Sequence, residues 1–507
     1  MLPRKWGPSA VQGARADARR YSQAPLRVAT SSTDCLTALM AVGRLGIVFV
    51  FTVIRGSLRA SIPLTSGRLA LIKRAMENNG TARVVVVGGG FAGLSAAKAL
   101  ARGNVQLTVV DRRNYHLFQP LLYQVATAAL DSSDIAMPIR SILRNKDNVD
   151  VLLAEVMGVD KEKRQLLLDQ GTLPYDFLLI ATGAQDSYFG HEGWAGRAPG
   201  LKTLEDALEI RREIFLAFER AERETDAARR KDWLTFVLIG GGPTGVEMAG
   251  ALAEISRHSL EQDFRRINPA DARIVLVEGH ATLLPFYPSE LTDSTRRHLE
   301  KLGVEVRLGQ RVTAIDAGGV FIGNEWIGAR TVLWSAGVAA SPLGAKLGVP
   351  LDKAGRVKVT PFLSIPGHEE IYVAGDLALV EQDGKTVAGV APAAMQMGKH
   401  AAANILEQVH KRAPRPFRYE DRGTFAVIGR GAAVGLAYRF KLRGFVAWLA
   451  WLFIHLAFLA GFRNRIFVFF KWAYSYFTLR RYARLITGTS RSPRGDGDLQ
   501  APPVPGG

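Results

Sequence analysis

Of 507 residues only one, Cys35, is a cysteine. That excludes an intramolecular disulfide, a C-x-x-C redox pair and any cysteine-rich zinc or iron–sulfur site. Acidic residues are also scarce. Lys and Arg number 65 against 47 Asp and Glu, a formal net charge of +18, and no acid stands between Asp421 and Asp496. Such an excess suits nucleic acid, an anionic membrane or anionic substrates. No nucleic-acid motif is present, so no nucleic-acid partner is expected. Long apolar runs are few: the longest, 445–462, reaches about 27 Å as a helix against a bilayer core of about 30 Å. What is present is a 48% hydrophobic, 22% charged chain, ample for two or three globular domains.

Two stretches repeat one design. "RVVVVGGGFAGLSAAKAL" (83–100) and "TFVLIGGGPTGVEMAG" (235–250) each run from an apolar strand through G-x-G-x-x-G into a helix. A buried parallel strand wants β-branched residues, a tight turn against a pyrophosphate wants glycine, and the helix N-terminus attracts the anion. Gly88, Gly90 and Gly93 fill the first turn; Gly240, Gly242 and Gly245 fill the second. After the first, "VQLTVVD" ends in Asp111, spaced to accept ribose hydroxyls, with Arg112 beside it in the same site. After the second, "RIVLVEG" ends in Glu278, which either serves a second ribose or is a plain acid at a strand end. An acid there accepts a 2′-hydroxyl and repels a 2′-phosphate, favouring NADH over NADPH. The chain is thus expected to hold two dinucleotides.

From residue 82 strands and helices alternate, the mark of a doubly wound α/β architecture. Ala181-Thr182-Gly183 closes one strand, Ala336-Gly337 a second, and Gly375-Asp376 a third. These marks resemble the two-dinucleotide-binding-domain flavoproteins. The resemblance implies two Rossmann-like domains: an FAD domain in two parts, 81–200 and 337–430, with an NADH domain, 201–336, inserted. It makes Asp376 a partner of the FAD ribityl and pyrophosphate region, although a residue capping the next helix would look the same.

Without cysteine near the flavin, disulfide reductase, peroxidase and thiol-dependent sulfide:quinone chemistry are set aside. "NYHLFQPLLYQVATAALDSSDIAMPIR" (114–140) and "GVAPAAMQMGKHAAANI" (389–405) closely resemble type II NADH dehydrogenases, single-subunit, non-pumping NADH:quinone oxidoreductases. The resemblance covers roughly 80–486. It implies FAD as cofactor, NADH as substrate, a membrane quinone as acceptor, and a helix whose positive N-terminus faces the flavin pyrimidine edge. Gln396 matches the glutamine beside the quinone head group, with a core amide as the alternative. One departure is Pro392, where some members carry a second glutamine. Glu247 matches the glutamate near the junction of nicotinamide and flavin, with an early-helix acid complementing the macrodipole as the alternative. His116, His191 and His280 are taken as structural or surface residues, since hydride transfer to a flavin needs no protein base.

The ends are read from composition. Residues 431–486 combine Trp, Phe and Tyr with Arg and Lys and no acid, which predicts membrane-anchoring helices lying against anionic lipid. The first eighty residues are Arg-rich; a targeting peptide, a short anchor at 45–54 and a spurious upstream translation compete, the last being expected from the natural start at Met76. Residues 487–507 are expected to be disordered. The cytoplasmic face of a bacterial inner membrane is the expected location, or the mitochondrial inner membrane if the leader is a transit peptide. A homodimer stays open. Competing functions are a soluble NADH-dependent reductase of a small electron-carrier protein and a non-catalytic NADH-sensing flavoprotein.

Overall fold

The computed structural model describes residues 35–41, 48–54, 80–478, 481 and 483–488. Two units result, divided after Ala70. The first contains an antiparallel pair, Cys35–Ala41 with Val48–Ile54. The expectations for the rest of the leader, and for nearly all of 487–507, lie outside the described residues.

Along the second unit the chain forms β1 (Arg83–Val87), α1 (Phe91–Leu100), β2 (Gln106–Asp111), α2 (Leu122–Ala126), β3 (Val149–Leu153) and β4 (Phe177–Ile180). It continues with α3 (Leu204–Arg223), β5 (Thr235–Ile239), α4 (Pro243–Glu254), β6 (Arg273–Glu278), α5 (Ser289–Lys301), β7 (Val304–Leu308) and β8 (Thr331–Trp334). Then come β9 (Ser364–Ile365), β10 (His368–Val373), α6 (Ala391–Val409), β11 (Thr424–Gly429), β12 (Ala432–Ala437), β13 (Phe440–Arg443), α7 (Gly444–Phe458) and α8 (Phe462–Thr478).

Two sheets carry the architecture. The larger has the order β9-β10-β4-β1-β2-β3, so residues 364–373 complete a sheet begun by 83–180. Between them in sequence lies the smaller parallel sheet, β7-β6-β5-β8. Every residue of β5 and all but the first of β1 are buried, which is why both read as continuous apolar runs rather than alternating ones. Two short strands, Ala184–Asp186 and Val338–Ala340, pair antiparallel where the chain leaves and re-enters the larger domain.

Helix α1 is alanine-rich because α6 crosses it closely. A β-carbon at Gly398 would collide with the Ala92 carbonyl. That contact sets where the N-terminus of α6 stands.

One boundary differs from expectation. The second FAD segment was expected to run to 430, yet β11 pairs with β12, and β12 with β13. A polar stretch with no strand pattern, 410–423, precedes β11, and the new sheet begins there. Helices α7 and α8 follow, and their inward residues Ala447, Trp451, Leu452, Leu459, Val468 and Trp472 share one hydrophobic core with α2, α3 and α4. The C-terminal segment is therefore part of the body of the unit.

Candidate functional site

The two glycine turns are built alike, position by position. Gly88 and Gly240 take φ of +101° and +110°, and a β-carbon on either would press into the backbone at Ala181 or at Ser335 and Ala336. Gly93 and Gly245 sit on the first turn of α1 and α4, where a β-carbon would collide with the carbonyl of Gly88 or Gly240. Gly90 and Gly242 differ: a β-carbon there meets nothing within 4 Å. The middle glycines face open space at a helix N-terminus, the place a pyrophosphate takes.

The strand-end acids hold these turns. Asp111 Oδ2 accepts from Gly89 N–H at 2.6 Å and its Oδ1 from Arg113 N–H at 2.7 Å. Burial pushes this carboxyl above its ordinary range, and those hydrogen bonds pull it back. Glu278 repeats the arrangement, accepting from Gly241 N–H at 2.5 Å and from His280 N–H at 2.7 Å. Glu278 is 8% exposed, which does not fit a plain surface acid. Arg112 is exposed, with Glu155 at 3.9 Å, while Arg113 turns inward to Glu205 at 3.0 Å. Ala336 packs on the second turn, and Gly337 has no room for a side chain beside Ser187 and the Phe189 ring.

Between the turns of the larger domain the residues suit FAD. Thr182 Oγ1 is buried without a hydrogen-bond partner among the described residues, and Gly183 at φ +68° leaves the space beside it clear. Further along, Gly375, Asp376, Ala393, Ala394 and Met397 line a cavity of about 360 Å³. Burial raises the Asp376 carboxyl, and Lys202 and Arg356, which line the same cavity, act against that. The N-terminus of α6 has no side-chain cap and no acid in its first turn, and Pro392 sits where a missing N–H costs nothing. A group carrying an anion and many hydrogen-bond acceptors fits this lining.

Glu247 lies elsewhere. It is 8% exposed on α4, accepts from Val427 N–H at 3.4 Å, and burial pushes its carboxyl up to about 8. The macrodipole alternative explains neither the burial nor the setting. Glu247 lines a cavity of about 110 Å³ whose other walls include Tyr123, Gln124, Glu254, Trp448, Trp451, Trp472 and Arg481.

Gln396 is held within the chain. Its Nε2 donates to Glu420 O at 2.9 Å, and its Oε1 accepts from Glu420 N–H at 3.0 Å. A primary amide that bonds both the N–H and the C=O of one residue closes a two-bond clamp, so it pins the segment after α6. The histidines have structural partners: His116 Nδ1 lies 2.8 Å from Gly89 O, His280 bonds Glu278, and His191 stacks on Trp194 at 4.2 Å.

Several residues escape the sequence. Gln124 accepts from Trp472 Nε1 at 2.7 Å, and Arg481 donates to Thr127 O at 2.7 Å. Lys471 pairs with Asp134 at 2.6 Å and Asp131 at 2.9 Å. The only sequence signal was the unusual "LLYQVATAALDSSD" run, which names one partner of each pair and not the other.

A family model described as pyridine nucleotide-disulphide oxidoreductase matches residues 82–398. Among curated relatives, the type II NADH:quinone oxidoreductase Ndh of Mycobacterium tuberculosis is 43% identical over 421 residues, covering 80% of this chain and 90% of its own. NdhA of the same organism is 44% identical over 426 residues, with the same coverage. Among solved structures, NDH2 from Plasmodium falciparum in complex with NADH superposes with a TM-score of 0.73 at 20% identity, over 80% of this chain and all of that one. At that identity it speaks for the fold. Twin glycine turns, a split larger domain and relatives this similar over most of their length place the chain in the type II NADH:quinone oxidoreductase family.

Proposed function

We propose that this protein oxidises NADH and delivers two electrons through FAD to a quinone at a membrane surface, without pumping protons. The observation that carries the reading is the position of Glu247. It stands on the helix opened by the second glycine turn, and it lines a cavity walled by Trp448, Trp451, Trp472 and Arg481 of the C-terminal segment. One carboxyl thus borders both the nicotinamide domain and the segment that meets the membrane.

Gly88, Gly90, Gly93, Asp111, Thr182 and Asp376 hold FAD, which when bound supplies a two-electron carrier. Gly240, Gly242, Gly245 and Glu278 hold NADH, Glu278 taking the 2′-hydroxyl. Raised to about 8, Glu247 keeps a proton near neutrality on the wall of the cavity. A quinone gains protons as it gains electrons, so a carboxyl that is neutral at working pH suits its pocket. Trp451 Nε1 is buried in that wall without an acceptor among the described residues, and a quinone carbonyl is such an acceptor. Gln396 positions the segment after α6.

Helix α7 supports the membrane part. It is apolar all round, yet Phe445, Val446, Phe453, Ile454 and Phe458 point outward at 36 to 62% exposure. On α8, Ile466, Phe467, Phe469, Phe470 and Tyr474 do the same, next to Arg463 and Arg465. An apolar patch of this extent rimmed by cations matches an interfacial helix pair. Among the described residues no helix is long and apolar enough to cross a membrane. The proposed site is the cytoplasmic face of a bacterial inner membrane.

The test is NADH oxidation by FAD-loaded, detergent-solubilised enzyme with ubiquinone and menaquinone analogues. NADH should bleach the flavin and either quinone should restore it. Bleaching that no quinone reverses would overturn the assignment.

A further inference from the structure

We propose that the turn joining β12 to β13, Tyr438-Arg439, is a third membrane element, an aromatic finger that enters the head-group layer of an anionic bilayer beside α7 and α8. It rests on the membrane reading above and extends it to a part of the chain that is neither helical nor long and apolar.

Strand β12 ends at Ala437 and β13 begins at Phe440, leaving two residues to reverse the chain. Hairpins this tight place glycine or asparagine where φ is positive. Here Tyr438 takes φ +52°. A bulky residue held in that region costs stability, and such strain marks positions whose side chain matters more than its backbone. Nothing within the chain uses that side chain as core, for Tyr438 is 64% exposed and Phe440, two residues on, is 63% exposed.

Charge and continuity point to the occupant. Arg439 stands at the tip, and Lys441 and Arg443 follow, all exposed. Among the described residues the acid paired with them is Glu290, which Lys441 reaches at 2.7 Å. An exposed run from Tyr438 to Lys441 resumes at Arg443 and leads directly into Phe445 and Val446, the outward face of α7. Alternating aromatic and cationic side chains on a short projection suit the interface, where rings sit at head-group level and cations meet lipid phosphates. A protein partner would have to be acidic and apolar at once.

The test uses the full-length holoenzyme and vesicles of phosphatidylglycerol with phosphatidylcholine, or of phosphatidylcholine alone. Wild type should float with the anionic vesicles. Tyr438→Gly with Phe440→Ser should lower the partition coefficient roughly tenfold, the scale of losing two half-buried rings. Tyr438→Gly alone should also raise the melting temperature, because glycine accepts the backbone conformation freely. A gain in stability with a loss of binding cannot come from misfolding. Unchanged partition of the double variant, with loss in Phe453→Ser or Phe470→Ser, would overturn the finger and leave the helices as the anchor. No flotation of wild type would overturn both.

Discussion

Arg481 and Glu254 meet at 3.0 Å across 227 residues of sequence, and they join the end of the C-terminal segment to the helix that begins at the second glycine turn. Arg481 is 8% exposed. Its second bond, to Thr127 O, extends the link to the larger domain, and Glu254 also receives the backbone N–H of Arg430. The pair thus ties three separate parts of the chain at the edge of the Glu247 cavity.

Breaking one side of that pair should be costly. Arg481→Met leaves Glu254 without its cation and Thr127 without its donor, so a loss of about 3–5 kcal/mol is expected. Adding Glu254→Gln should return part of it, because an amide tolerates burial better than a lone carboxylate. Thermal melts of the two single variants and the double close the cycle. Additive losses would show that the residues do not act as a pair.

Glu247 gives a pH signature. Its folded-state carboxyl is held near 8, above the ordinary 4.5, by burial. The folded protein therefore binds that proton more tightly than the unfolded chain does. Its stabilising effect is complete below about pH 4.5 and is lost as the pH rises to about 8, an effect of roughly 3–5 kcal/mol at most. Glu247→Gln carries no titrating proton. Its melting temperature should fall less than that of wild type between pH 5 and 8.5, and parallel curves would refute the buried, protonated carboxyl.

Much of this is legible in the sequence. The glycine turns, Asp111 and Glu278 are local: each needs only a strand, a turn and a residue at the next strand end, and period and spacing carry that. The twofold use of one design, Gly90 with Gly242 and Asp111 with Glu278, follows from the same spacing. What escaped was non-local. No pattern joins Trp472 to Gln124, 348 residues away, or Lys471 to Asp134, so the C-terminal helices read as an attached anchor although their inner faces share the central core. The boundary at 430 cuts through a sheet for a related reason, since the strand that β11 pairs with, β12, lies beyond it.

Gly90 and Gly93 stand three residues apart and should fail differently. A valine at 90 fills only open space, so Gly90→Val should yield folded protein without flavin. Gly93→Ala drives a β-carbon into the Gly88 carbonyl and should destroy the fold of the larger domain. Flavin absorbance per protein and far-ultraviolet circular dichroism separate the outcomes. A yellow Gly90→Val at normal stoichiometry would remove Gly90 from the FAD site.

The carboxylate oxygens of Glu278 that the proposed ribose contact would use already hold Gly241 and His280. Glu278→Gln keeps one acceptor and turns an N–H₂ toward the other donor. Losing a charge-assisted bond of about 1.5–3 kcal/mol should raise KM for NADH roughly 10- to 150-fold. Discrimination against NADPH should ease, since the repelling charge is gone. An unchanged ratio of kcat/KM for the two cofactors would mean that Glu278 shapes the turn and does not read the ribose.

Gln396 offers the sharpest division between a positioning residue and one that touches the acceptor. Its amide is half-buried, and both heteroatoms are committed to the backbone N–H and C=O of Glu420. Two neutral hydrogen bonds at about 0.5–1.5 kcal/mol each set the scale of the clamp. Gln396→Ala should therefore release the segment around Glu420, with faster amide exchange at Glu420 itself. Gln396→Glu should be worse than alanine: it keeps the acceptor for Glu420 N–H but sets a carboxylate oxygen against Glu420 O. Because the clamp lies one turn from the uncapped start of α6, loosening it disturbs the flavin edge as a whole. Flavin reduction by NADH and re-oxidation by quinone should then slow together in stopped-flow traces. If re-oxidation alone slows while Glu420 stays protected from exchange, Gln396 addresses the quinone directly, and the pairing with Glu420 gives way when the acceptor binds.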